Sequence, residues 1–271
     1  EMKSADTVLN ALVGFAGFLP TVRALKADKK VALANKESLV VGGQVINDIL
    51  RDKEDLLVPV DSEHSAMLQS IVGEDSDNIE KIIVTASGGP FRTWSYEDMQ
   101  SITIEDALDH PNWSMGAKIT VDSSTMMNKG LEIIETHWLF DLSLSQIEAV
   151  VHPESIIHSV VTYRDGSSKA QLGPPTMKVP IQYALTYPER LDLEVPRLDW
   201  QEAFALHFEP VDHKRFPCLK LAVEAIKEGG VAPAVLNAAN EIAVSRFLEG
   251  EITHLSIAEV VEKSLNKLGS E

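Results

Sequence analysis

Asp61 and Glu63 stand one residue apart in VPVDSEHSA (58–66), directly behind a short apolar run and ahead of a helical pattern. Carboxylates so placed can share a metal ion, move protons, or do no more than start the following helix, with Asp61 or Ser62 as cap and Glu63 favouring its positive end. In extended chain, residues i and i+2 point to the same side, so the two acids can converge on one point. His64 behind them reads as structural. A second set lies in VDSSTMMNKGLE (121–132). Asn128 and Glu132 are four apart on a predicted helix and share a face, with Lys129 beside them; Met127, Leu131, Ile134 and Trp138 mark the buried stripe. Ser123, Asn128 and Lys129 bring hydroxyl, amide and ammonium donors to a helix start, which is either a phosphate cradle or a solvated polar face. Together Asp61, Glu63 and Glu132 form an all-oxygen set suited to Mg²⁺ or Mn²⁺. No cysteine or histidine pair at ligand spacing favours zinc.

Three weaker signals accompany them. Ser87-Gly88-Gly89 follows an apolar run and lets backbone N–H groups approach an anion, or is an ordinary turn. The loop HPNWSMG (110–116) carries His110 and Trp113, and the tryptophan is either a lid that dries a ligand or a core residue. His152 and His158, six apart in HPESIIHS, would face the same side of one strand, where structural roles prevail.

The elements that must position these groups follow an α/β pattern. Helical spacing runs from Leu9 to Leu25, with Pro20 where a second helix could begin; strands are predicted at 30–34, 56–60, 81–86, 118–121, 147–151, 155–163 and 168–172. Helices are predicted at 35–41, 62–72, 125–140 and 179–185, with Asp165-Gly166 as a hairpin turn. Residues 187–212 carry three prolines and read as a connecting arm, and helical patterns run from 213 to the end. The 271 residues, 44% apolar, suffice for more than one domain, and a net charge of −17 argues against a nucleic-acid partner. The lone Cys218 fits a reducing compartment and a buried helical position. Residues 8–19 are apolar but too short for a membrane span and lack a basic leader.

Taken together, LANKESLV (33–40), PVDSEH (59–64), SGGPFR (87–92), HPNWSMG, VDSSTMMNKGLE, HPESIIHS (152–159), AQLGPPTM (170–177) and NAANEIAV (237–244) resemble the 1-deoxy-D-xylulose-5-phosphate reductoisomerases, in order and at compatible spacing from about residue 8 to about residue 250. The resemblance implies NADPH-dependent rearrangement and reduction of 1-deoxy-D-xylulose 5-phosphate to 2-C-methyl-D-erythritol 4-phosphate, in the non-mevalonate route to isoprenoids. It implies Asp61, Glu63 and Glu132 as metal ligands. It places Lys36, Ser62, Glu63, Ser87, His110, Ser123, Asn128, Lys129 and Glu132 on the substrate, Trp113 in the lid, His158 and Met177 on the active-site wall, and Asn35, Glu37 and Gly116 on the nicotinamide cofactor. Lys36, Glu63, His110, Glu132 and His158 are the candidates for catalysis. The implied fold is α/β: a remnant of a Rossmann-like NADPH-binding domain (1–51), an α+β catalytic domain (52–186), the arm (187–212) and a small, incomplete C-terminal helical domain (213–271). The expected setting is cytoplasmic rather than plastid-type, as a homodimer without nucleic acid or membrane. The family's glycine-rich dinucleotide turn is missing, since no strand followed by a glycine-rich helix start is expected before Ala11 and VGFAG (13–17) falls inside a helical run. The chain is therefore expected to be truncated at both ends, and either the catalytic part of the enzyme or a module that binds metal and sugar phosphate without turnover.

Overall fold

The computed structural model describes residues 4–53 and 55–270. Three parallel strands, β1 (Thr7–Asn10), β2 (Lys30–Leu33) and β3 (Leu57–Pro59), lie side by side in that order, joined by helices α1 (Phe18–Lys26) and α2 (Glu37–Leu50). Parallel neighbours need such crossovers, and the apolar faces of Val22, Leu25, Leu39 and Ile46 cover Val31 and Leu33 to make the core of this layer. After α3 (Ser62–Ile71) a second sheet holds β4 (Ile79–Ala86), β5 (Ile147–Val151), β6 (Ile157–Tyr163) and β7 (Ser168–Leu172) in the order β5-β4-β6-β7. Only the β4–β5 pair is parallel, while β6 and β7 form the hairpin that turns through Gly166.

Between β4 and β5 run α4 (Ile104–Leu108), α5 (Ala117–Ser124) and α6 (Met127–Phe140). α6 is the hub of the molecule. Met127, Leu131 and Ile134 pack on Val40 of α2 and on the apolar faces of α8 (Pro217–Glu228), α9 (Ala232–Leu248) and α10 (His254–Leu268). α7 (Lys178–Thr186) lies against β2 and β3, and residues 187–212 form no helix or strand, touching the second sheet by one antiparallel bridge between Glu209 and Val151.

Four expectations are corrected. The run from Leu9 to Leu25 is not one helix: Val8 and Leu9 pair with Val31 and Ala32, so a strand does precede Ala11, and residues 14–17 form a 3₁₀ turn before α1. Pro20 sits inside the first turn of α1, where its missing N–H costs nothing. Residues 118–121 are helical rather than a strand, because α5 is packed between α4, α6 and α9 and its β-branched residues are buried by those neighbours. Asp61 and Glu63 are not in extended chain: Asp61 has the N-cap conformation of α3 without a side-chain capping bond, and Glu63 is in the first turn. Finally, His152 lies beyond the end of β5 and His158 in β6, so the two do not share a strand.

Candidate active site

The carboxyl ends of β2, β3 and β4 and the start of β6 meet around a cavity of about 280 Å³. Crevices at that edge of parallel strands are where α/β folds bind ligands. Lys36 follows β2, Asp61, Ser62 and Glu63 follow β3, Ser87 and Gly88 follow β4, and all line the wall. Ser123 comes from the last turn of α5, Asn128, Lys129 and Glu132 from the first turns of α6, and His158 from β6. His110 and Trp113 enter from the loop ahead of α5, and Met177 from the residue before α7. Every residue expected to bind metal or substrate is thus brought to one cavity.

One end of the cavity is acidic. Asp61, Glu63 and Glu132 each offer an oxygen, and these atoms lie within 4.8 Å of one another. Two lysines compensate the three carboxylates. Lys36 Nζ is ion-paired with Asp61 and lies 2.9 Å from Glu132 Oε1 and 2.8 Å from Asn128 Oδ1; Lys129 Nζ is ion-paired with Glu132 and lies 2.7 Å from Glu63 Oε1. Burial disfavours charge on both amines, but the surrounding carboxylates outweigh it and raise both pKa values, that of Lys36 well above the usual one. Asn128 Nδ2 donates to Glu132 Oε1 at 2.5 Å, which confirms the shared helix face, and the Ser62 hydroxyl donates to Glu63 Oε2 at 2.5 Å.

The other end is a ring of neutral donors. His110 Nδ1 accepts the backbone N–H groups of Asn112 and Trp113, both at 3.1 Å, so its hydrogen sits on Nε2. That Nε2 is 3.0 Å from Ser87 Oγ and 3.1 Å from Ser123 Oγ. Burial lowers the pKa of His110 and favours the neutral ring. Both serine oxygens therefore accept from the ring and keep their own hydrogens for a ligand. Gly89 makes the approach possible: its φ is +68°, and a Cβ there would lie 2.8 Å from the Ser123 carbonyl oxygen. The joint between α5 and α6 turns through Met126 in the left-handed region. Ser123 and Met126 face the cavity, whereas the Ser124 hydroxyl lies on the other side, 2.8 Å from His254 Nε2.

Trp113 closes one side, its ring 6.3 Å from that of His158, whose pKa burial also lowers. The loop that carries it is tied down by Asn112, which donates to Pro153 O and Ser155 Oγ. Sequence reasoning passed over Ser114, Met115 and Ser155 on the wall, although they belong to the quoted motifs HPNWSMG and HPESIIHS. Ala34, Thr85, Ile119, Met126 and Ile157 line it too, with no sequence signal of their own.

Asn35, Glu37 and Gly116 stand outside this wall. Asn35 Nδ2 donates to Leu12 O, Gly14 O and Glu37 Oε2, which fixes the turn after β1. Glu37 is ion-paired at 2.8 Å with Lys118, and this partner outweighs the effect of burial and lowers its pKa. Lys118 also holds Asp122, which receives Asn240 of α9, so the NAANEIAV motif anchors α5. Gly116 is the exposed N-cap of α5. His64 is buried on the far side of the carboxylates, bonded to Glu132 O and Thr136 Oγ1, in the structural role expected of it. Cys218 is buried in α8, and burial pushes its thiol up to about 12.

Fold and cavity define an α/β protein with a carboxylate cluster and a serine–histidine cluster at opposite ends of one pocket. Family models described as 1-deoxy-D-xylulose 5-phosphate reductoisomerase, its C-terminal domain, and the DXP reductoisomerase C-terminal domain match residues 1–43, 57–140 and 172–271. The chain is 57% identical over 260 residues to the 1-deoxy-D-xylulose 5-phosphate reductoisomerase of Chloroherpeton thalassium, covering 96% of this chain and 67% of that protein. It is 55% identical over 267 residues to that of Bacillus subtilis, covering 98% and 70%. A crystal structure of DOX-P reductoisomerase in complex with NADPH, fosmidomycin and magnesium superposes with a TM-score of 0.94 at 45% identity, covering 98% of this chain and 68% of the other. The Zymomonas mobilis reductoisomerase in complex with NADPH gives 0.91 at 48%, covering 98% and 69%. The chain belongs to the 1-deoxy-D-xylulose 5-phosphate reductoisomerase family.

Proposed function

We propose that this cavity binds a divalent cation through Asp61, Glu63 and Glu132 and the sugar phosphate alongside it, and that the chain carries the site for NADPH-dependent conversion of 1-deoxy-D-xylulose 5-phosphate to 2-C-methyl-D-erythritol 4-phosphate. The observation that carries the reading is the convergence of three carboxylate oxygens within 4.8 Å, braced by Lys36, Asn128 and Lys129, at one end of a pocket lined at the other by two serines and a histidine. An oxygen-only donor set fits Mg²⁺ or Mn²⁺. A bound ion supplies a Lewis acid for the ketone and for the alkoxide that develops as the carbon skeleton rearranges.

The chain's own residues do the rest. Ser87, Ser123, Asn128 and Lys129 hold the phosphate, with His110 directing both serine hydroxyls outward. Lys36 and Ser62 hold the sugar oxygens. Glu63 Oε2, already paired with the Ser62 hydroxyl, is the carboxylate oxygen placed to exchange a substrate hydroxyl proton. Trp113, His158 and Met177 exclude water from the reacting carbons. NADPH would approach across the carboxyl edge of the first sheet, where Asn35, Glu37 and Gly116 shape the rim. A homodimer accounts for the arm, whose Leu191, Trp200, Phe204 and Phe208 are exposed, and the bacterial relatives agree with a cytoplasmic setting. No described helix is long and apolar enough to cross a membrane.

Titration of the protein with Mn²⁺ by calorimetry, and NADPH oxidation with the keto-sugar phosphate, test the reading. Glu132→Gln is expected to weaken Mn²⁺ binding by about 100-fold or more while the circular dichroism spectrum stays native. Unchanged affinity in that variant would refute the ligand set.

A further inference from the structure

Glu135 lies three residues past Glu132 on α6, is 0% exposed, and neither of its carboxyl oxygens has a hydrogen-bond partner among the described residues. A buried carboxyl group is costly, and apolar side chains fill the neighbouring positions Ile133 and Ile134. It faces His64, whose Nδ1 is 3.3 Å from Glu135 Oε2. His64 is also fully buried, with its ring parallel to Phe140 at 6.5 Å. On its other edge Nε2 lies 3.0 Å from the Glu132 carbonyl oxygen and 2.9 Å from Thr136 Oγ1, whose own hydroxyl donates to that carbonyl. A carbonyl only accepts, so the ring hydrogen is on Nε2 and Nδ1 presents a lone pair to Glu135. Glu135 Oε2 is thus the carboxyl oxygen that faces this lone pair, at 3.3 Å and away from solvent. The pair sits directly behind the acidic cluster: ligand atoms of Asp61, His64 and Glu135 come within 4.8 Å of one another.

We propose that Glu135 is a positioning residue for the three carboxylates and acts through His64. By fixing the orientation of that ring it locks the first turn of α3, with Asp61 and Glu63, to the stretch of α6 that carries Glu132. Outer groups of this kind hold ligands in register without touching the ion. The inference rests on the reading of Asp61, Glu63 and Glu132 as the metal site.

The test is Mn²⁺ binding by calorimetry and the electron paramagnetic resonance spectrum of the bound ion, in the wild-type chain, Glu135→Gln and Glu135→Leu. Glutamine keeps the shape and donates an N–H to Nδ1; leucine keeps the bulk and donates nothing. One ion per chain is expected, with affinity within about threefold of wild type for Glu135→Gln and about 10- to 100-fold weaker, with altered fine structure, for Glu135→Leu. Wild-type affinity in folded Glu135→Leu, or a second ion lost on either substitution, overturns the proposal. Should the leucine variant not fold, the glutamine variant decides. Retained affinity with the Nε2–H tautomer of His64 in nitrogen NMR supports the proposal, and lost affinity in a folded protein overturns it. A wild-type chain that binds no Mn²⁺ sinks the metal site itself, a result separate from any difference between variants.

Discussion

Lys36 and Lys129 show how the acidic cluster survives burial, since each ammonium spans two of three carboxylates that would otherwise repel one another. Substitution Lys129→Met leaves Glu63 and Glu132 without this compensation, and the melting temperature of the metal-free chain is expected to fall, with Mn²⁺ restoring most of it; no recovery on adding Mn²⁺ would refute the compensation argument. A second residue-scale effect is on pH. Burial lowers the pKa of His254 from 6.5 to about 4, so below pH 6.5 the unfolded chain binds a proton that the folded chain refuses. Stability is therefore lost as pH falls from 6.5 towards 4, by on the order of 3 kcal/mol for this group. Urea melts across that window are expected to show a flatter loss for His254→Gln than for wild type, and identical slopes would count against the argument. At this scale the sequence was most legible where polar residues interrupt an apolar pattern. Asp61 and Glu63 break off a strand, and Asn128 and Glu132 share a helix face. Glu135 was not legible, because one acid among Ile133, Ile134 and Leu131 on a helix reads as its solvent face until packing shows that α6 is covered all round.

The elements explain why these groups keep their places. α6 lies close to α8 because Gly130 has no side chain: a Cβ there would meet the Ala222 Cβ at 2.6 Å. Gly130→Ala gains up to about 1 kcal/mol in helix propensity yet is expected to lower stability by about 1–3 kcal/mol through overpacking. Calorimetric melts of Gly130→Ala and of the Gly130→Ala/Ala222→Gly pair check this; a single variant as stable as wild type, or no recovery in the double one, contradicts it. Element reading succeeded where period and boundary agreed, as for β2, β4, α3 and the β6–β7 hairpin. It failed at β1 and α5. In both, local composition misled: VLNALVGFAGFL is apolar at helical spacing, and Ile119, Thr120 and Val121 are β-branched. The decision lay with partners distant in sequence, namely the ladder from β2 and the contacts from α6 and α9.

For the whole molecule, two sheets and a helical block share α6 as a common wall, an arrangement that alternation of strand and helix foretold only in class. Which strands pair and where the cavity opens depend on long-range contacts that no local pattern encodes. The arm carries three exposed aromatics, Trp200, Phe204 and Phe208, with Trp200 at 67% exposure tilted against Phe204, in a protein of net charge −17 whose remaining surface repels its own copies. Sedimentation velocity is expected to show a dimer at micromolar concentration, and Trp200→Glu with Phe204→Glu to shift it to monomer; a wild-type monomer would remove the proposed homodimer. The joint at Met126 carries a further consequence. One strip of four residues has a serine turned to the cavity and the next serine rooted in α10, so the proposed phosphate cradle is braced from outside the pocket. Under selection with a competitive sugar-phosphate mimic, tolerance should therefore arise in the bundle as well as at the cavity wall, through substitutions at His254 or its neighbours that touch no ligand atom.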